Sequence, residues 1–330
     1  METTSEKQLS ARPLPWRTRI AHWCRCWAVV LLTTTTWGCT AQPPSTRPPQ
    51  PTPSSKPPKR PSPPRADAPK ARRPADELAQ RAEAAWAQRH KRPKLEAAID
   101  LWRRVSNQKP HDTDLWTRQA RANFLLAEHF LRSDDDAEAR INVLERAILA
   151  GERAMMSASQ EFVDAVENRG ESVREAVQYL GADAQAAMYW YAAALGRFAL
   201  LKGLTTAMIY RERILAVMQR VLAIDATFFY GAAHRFFGAY YARVPAFAGG
   251  DLPKAREHFE KALEIAPDFL QTRVLFAHYI ATKSDDRELF ERLLRGVIEA
   301  DPATPEAVAP EQHMAQTRAE HLLANAEARF

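Results

Sequence analysis

No cysteine follows Cys39 in this chain of 330 residues; the three present are Cys24, Cys26 and Cys39. Everything beyond is therefore without a disulfide, a thiol nucleophile or a thiolate metal ligand. Glycine is scarce, with 11 residues, and only eight of the 23 prolines come after Pro74. A stretch poor in both and rich in Ala, Leu, Arg and Glu excludes a turn-dense β architecture and argues for helices. The 255 residues from Asp76 onward suffice to bury a core without staples. Catalytic patterns are also missing. There is no Gly-rich phosphate loop, and no serine sits in a G-x-S-x-G context. His129, His258 and His321 each follow a glutamate, but none has a histidine at i+4 to complete a zinc-binding H-E-x-x-H. No nucleophile is assembled with a base, so a hydrolase is disfavoured, the chain reads as a non-enzyme, and neither a metal nor a cofactor is called for.

The net charge of +6 is unevenly placed. Residues 1–39 carry a net +3 and residues 40–75 a net +7, which leaves about −4 for the rest. The basic balance belongs to the N-terminal portion, so it gives the helical body no case for nucleic-acid binding.

Residues 12–39 read as an export signal. Arg12, Arg17, Arg19 and Arg25 form a positive region, Trp27 to Leu32 a short apolar core, and a threonine run leads to Gly38-Cys39. The apolar run is too short for a membrane span. A small residue directly before Cys39 matches a lipoprotein signal, with Cys39 as the lipidated residue. Thr36 and Trp37 depart from it, standing where leucine and a small residue are usual. The boundaries are thus 1–38 for the lipoprotein-type signal, 39–75 for a basic, proline-rich, disordered tether, and 76–330 for the helical domain. The tether has no aromatics or large aliphatics, so it cannot form a core. In extended polyproline form it reaches on the order of 100 Å.

Apolar residues at spacings of three and four then mark successive helices. Asp76 is placed as the cap of the first, and a second follows Pro93. Asp112 or Asp114 caps a third, through Leu131. The acidic turn Ser133 to Asp136 leads into a fourth, with Ile141, Leu144, Ala147 and Ile148 on one face. Residues 158–181 are irregular and read as an insertion packed across the array. A helix pair joined near Gly203 ends at Asp225. A helix from Phe228 runs to Pro245, and further hairpins carry the chain to a final helix from Pro310.

Gly238, Tyr241, Ala255, Phe259, Ala262 and Pro267 fall in the order of a tetratricopeptide unit. Small residues there let two antiparallel helices approach, an aromatic fills the gap, and proline ends the second helix. Pro267 to Pro302 is a step of 35 residues, close to the ~34 of that repeat. One such unit cannot bury its apolar face alone. The fold class is therefore all-α, a TPR-like array of antiparallel helix hairpins.

The stretch from Ala233 to Pro302 is more specific than a repeat. It holds Tyr240-Tyr241-Ala242-Arg243 ahead of Pro245, then Gly249-Gly250-Asp251, the series Ala255, Phe259, Ala262, then Pro267-Asp268-Phe269 and an acidic turn before Phe290. It resembles the T component associated with TRAP (tripartite ATP-independent) transporters. The resemblance implies a periplasmic lipoprotein of helical hairpins, anchored to a membrane and assembled as a homotrimer, with a pore or cleft mid-array. The implied partner is the transporter's periplasmic solute-binding component, and the implied cargo is small, organic and partly hydrophobic. The alternative is a general cell-envelope scaffold lipoprotein for an outer-membrane machine, without a ligand pore.

Eight aromatics crowd the twenty residues from Phe228 to Phe247, more than one buried helix face accommodates. At helical spacing Tyr230, His234, Phe237 and Tyr241 share one stripe, and Phe229, Phe236, Tyr240 and Arg243 another. Two readings stand open: all are core, or one stripe lines a cleft for an apolar ligand with tyrosine hydroxyls and Arg243 as its few polar groups. Trp190 is placed on the same cleft from the preceding hairpin, and Phe247 at its rim. Pro245 stops the helix, Gly249 and Gly250 suit positive φ, and Asp251 caps the next helix. Arg243 is expected either to pair with Asp251 or to meet a ligand carboxylate.

Overall fold

The computed structural model describes residues 74–330, and these form helices and turns with no strand among them. The signal, Cys39 and all but the last two residues of the tether lie outside the described residues. Eleven longer helices succeed one another: α1 (Pro74–Trp86), α2 (Arg92–Ser106), α3 (Thr113–Leu125), α4 (Ala137–Ala158), α5 (Gln185–Leu201), α6 (Leu204–Ile224), α7 (Phe228–Arg243), α8 (Leu252–Ile265), α9 (Leu270–Phe276), α10 (Arg287–Glu299) and α11 (Ala309–Ala324). Chain neighbours pack on each other, most extensively α1 on α2, α3 on α4, α4 on α5, α5 on α6 and α7 on α8.

Local chemistry sets the ends. Asp112, not Asp114, caps α3, accepting from the Leu115 amide at 3.1 Å. Asp286 caps α10 in the same way at 2.9 Å. Asp76 does not cap α1, which starts at Pro74 and places Asp76 in its first turn, where a carboxylate still opposes the exposed amides. The α5–α6 turn passes through Gly203 at φ +104°, a conformation that favours glycine. The last carbonyls of α6 and α10 are satisfied by distant glutamines. Gln185 donates to Val221 and Asp225, and Gln316 to Val297, Ile298 and Ala300.

Residues 158–181 form short helical turns. Their apolar residues Phe162, Ala165, Ala176, Val177 and Leu180 are buried in the main core, where they meet α4 and α6. That core spans α1 to α7 and passes by way of Ala242, Ala255 and Phe259 to a further apolar cluster on α9, α10 and α11.

Three departures from ideal helix shape the interior. α3 and α9 each end in a π-helical turn, Leu126–Phe130 and Ala277–Ala281. α7 does not begin as the right-handed helix that its spacing suggests: Phe229, Tyr230 and Gly231 lie in the left-handed region at φ 42°, 61° and 75°.

Two helix pairs touch too closely for a side chain between them. A Cβ on Gly151 of α4 would lie 2.7 Å from the Cβ of Tyr191 on α5, and one on Gly238 of α7 would lie 2.8 Å from the Phe259 ring of α8. Gly296 of α10 has nothing within 4 Å of its Cβ direction. Gly151→Ala is therefore expected to lower unfolding free energy by about 1–3 kcal/mol through overpacking. Gly296→Ala should raise it by up to about 1 kcal/mol through helix propensity. Equal signs in denaturant unfolding would refute this account of the α4–α5 contact.

Candidate functional site

The helices line a half-open cavity of about 480 Å³, bordered by α3, α5, α6, α7, α9 and α11. Its position depends on contact between residues far apart in the chain. The α1–α2 turn reaches the start of α11, where Arg89 donates through Nε and Nη2 to the two carboxylate oxygens of Glu311, at 2.9 and 2.5 Å. Arg121 of α3 donates to the same carboxylate at 2.5 Å. Its guanidinium lies over the rings of Trp86, Trp190 and Phe229, at 5.1, 5.4 and 4.7 Å. Glu311 is 6% exposed. Burial opposes its charge, but the two arginines outweigh it and hold the carboxyl below its ordinary pKa.

A second carboxylate on the wall is built alike. The π turn after α3 presents Glu128, which accepts from Arg140 at 2.7 Å and Arg197 at 2.8 Å. Burial works against ionisation here too, yet the paired arginines bring its pKa down to about 2. His129 beside it and His278 in the other π turn also face the cavity. Burial pushes both down to about 4, so both rings are neutral at neutral pH.

Most of the remaining wall is apolar, with Phe124, Trp190, Phe229, Phe236, Leu200 and Met208 among its residues. Its aromatic part is held by the left-handed turn at the start of α7. Bulky residues at positive φ cost about 1–3 kcal/mol each, and Arg235 offsets this by donating to the carbonyls of Phe229, at 2.8 Å, and Tyr230. Arg235 is 4% exposed and stacks over Phe269 at 4.4 Å. Burial lowers its pKa to about 10.

The residues singled out from the sequence divide between two sides of α7. Trp190, Tyr240, Arg243 and Pro245 border the cavity. The Tyr240 hydroxyl accepts from Arg211 Nε at 2.8 Å. His234, Phe237 and Tyr241 turn instead toward α8, where both Phe237 and Tyr241 stack on His258, and the Nδ1 atoms of His234 and His258 are 2.9 Å apart. Tyr230 leaves that stripe because the left-handed turn reverses the local winding; its ring stacks on Phe269 at 4.8 Å. Phe247 stands 92% exposed in the α7–α8 loop and does not border the cavity.

That loop follows its residues with one correction: Gly250 is not at positive φ, and glycine is required there by close approach of the backbone instead. Gly249 has φ +94°, and a Cβ on Gly250 would collide with the Val244 carbonyl. Asp251 accepts from the Lys254 amide at 2.9 Å as the cap of α8. Among the described residues Arg243 makes no ion pair with Asp251; it stands exposed at the cavity rim. The polar wall of Glu128, Arg132, Arg197, Arg235, His278 and Arg318 was not anticipated. These residues come from five separate elements and form no local motif. Only the Glu128-His129 dipeptide stands out in the sequence, and there the lack of a histidine at i+4 speaks against a metal site.

A family model described as TRAP transporter T-component matches residues 96–330. The chain belongs to the TRAP transporter T-component family. All eleven helices except α1 fall wholly or largely within the matched region, as does most of the cavity-lining set. The comparison with curated proteins returns no match. This T-component therefore serves as an accessory of a TRAP transporter, a transport role and not a class of enzyme.

Removing the carboxylate where the α1–α2 turn and α3 meet α11 would leave one buried and one half-buried guanidinium uncompensated, so Glu311→Ala should cost about 3–5 kcal/mol in denaturant unfolding. For Glu128 the folded pKa lies below the unfolded value near 4.5. Its stabilising share is complete above about pH 4.5 and is lost as pH falls through about 2. The stability gap between the protein and Glu128→Gln should shrink across that interval; a gap independent of pH would contradict the ion-pair origin.

Proposed function

We propose that this T-component is an exported, lipid-anchored adaptor of a TRAP-type uptake system. It binds the periplasmic solute-binding component and holds a small, partly hydrophobic organic molecule in its central cavity. The observation that carries the ligand part is the cavity itself. A volume of about 480 Å³ falls in the range of small-molecule sites, and a largely apolar wall with a few placed polar groups is their usual composition. A dry array acting only as an envelope scaffold would have no use for such a space.

The partner, the homotrimeric assembly and a periplasmic location at the outer membrane are supported by family membership and by the run from Arg12 to Cys39. The TPR-like reading is supported by hairpin packing along the chain and by Gly238 against Phe259.

The test combines co-purification from envelope extracts with a cavity block. A solute-binding protein should be recovered with the full chain in stoichiometric amount. Gly196→Phe, which grows a ring from α5 into the cavity, should abolish uptake of an apolar fluorophore without releasing that partner. Repeated absence of the receptor, with secretion or assembly proteins in its place, would favour the scaffold. Fatty-acid labelling is expected on the full chain and not on Cys39→Ser; equal labelling of both would remove the lipid anchor.

A further inference from the structure

The cavity wall carries an unbalanced charge. Six arginines border it, Arg132, Arg197, Arg211, Arg235, Arg243 and Arg318, against the carboxylates of Glu128 and Glu311. Both carboxylates are already engaged by arginines, although the charge of Glu128 also reaches Arg132 and Arg318. Glu128 is engaged by Arg140 and Arg197, and Glu311 by Arg89 and Arg121. The bordering histidines His129 and His278 are uncharged near neutral pH.

Arg132, Arg243 and Arg318 are left without a carboxylate partner or a commitment to a strained turn, and of these three only Arg132 and Arg318 also border the neighbouring groove. Arg132 donates through Nη1 to the Glu128 backbone carbonyl at 2.9 Å, and Arg318 meets a ring nitrogen of His321 at 3.3 Å. Among the described residues neither forms an ion pair with a carboxylate. They are also neighbours. Burial first, then the charges of Arg132 and Arg329, push the pKa of Arg318 down to about 10. Like charges held together repel, and an anion between them turns that cost into attraction. Beside them His278 keeps a buried Nδ1 without a hydrogen-bond partner, and the charge of Arg318 weighs on its ring. Arg132, Arg318 and His129 border both the main cavity and a second groove lined by His90, His313 and His321. The basic pair therefore stands where the two spaces adjoin, while the aromatic wall belongs to the main cavity alone.

We infer that the cavity takes an amphipathic anion, with an oxyanion headgroup (a carboxylate or a phosphate ester) held by Arg132 and Arg318 and an apolar body against the aromatic wall. This rests on the cavity being the ligand site and adds the charge of the ligand and the residues that read it. Arg235 is not part of the headgroup site, because its donors are committed to the carbonyls of Phe229 and Tyr230.

The test is calorimetric titration of the full chain with dodecanoate, dodecyl phosphate and dodecanol, each below its aggregation concentration. At least one anion should bind about tenfold or more tightly than the alcohol, as one charge-assisted hydrogen bond would give. The tighter of the two anions identifies the headgroup. The double variant Arg132→Gln, Arg318→Gln should lose that advantage and keep the dodecanol affinity, which also reports that it is folded. Raised salt should weaken the anions and not the alcohol. Dodecanol binding as tightly as both anions, or an unchanged preference in the double variant, would overturn the inference and leave the apolar site standing. Binding of none of the three would overturn both.

Discussion

One carboxylate gripped by two guanidiniums determines what the rest of this body can be. Glu311 on the last long helix receives Arg89 from the first hairpin and Arg121 from the third helix. Stacked hairpins alone specify neighbours, and nothing in that rule brings the first to the last. A buried ion pair is weak evidence for net stability, but it is strongly selective about geometry, because either partner alone would be an uncompensated buried charge. Here the selection fixes which helices share an interior. The cavity is the space that remains when the two ends are held together around α5 and α7.

Much of the body was legible in the sequence, and the reason is periodicity. Helix existence, the stop at Pro245, the cap at Asp251 and the turn at Gly203 each depend on residues within a few positions of one another. The close approach of Gly238 to Phe259 was legible for the same reason, since a missing side chain and a large ring sit at fixed places in a hairpin. The site was legible only in part. The stripe of Phe229, Phe236, Tyr240 and Arg243 does face the cavity. The stripe that begins at Tyr230 fails at its first member, because three successive residues wind left-handed there. Helical spacing presumes one handedness and has no means of signalling its reversal.

The polar wall was hidden for a related reason. Glu128, His129 and His278 lie on π turns, whose extra residue per turn shifts them off the face that 3.6-residue spacing assigns. Arg132 comes just after such a turn, and Arg197 and Arg318 come from helices 121 residues apart in the chain. Their meeting on one wall is a property of the folded body. Charge totals gave the wrong emphasis as well: the helical body is acidic on balance while its interior cavity is basic, so net charge and local field have opposite signs.

Gly151 has a mechanical consequence. Its backbone rests directly on the Cβ and Cα of Tyr191, and interlocked surfaces at that distance leave no slack for sliding. The α4–α5 pair is thus the stiff spine of the chamber. Any widening needed to admit a bulky guest falls to the first turns of α6, where the wall residues Leu204 and Met208 and their neighbour Ile209 are more than half bared to solvent, while Ile214 to Val221 stay held in the core.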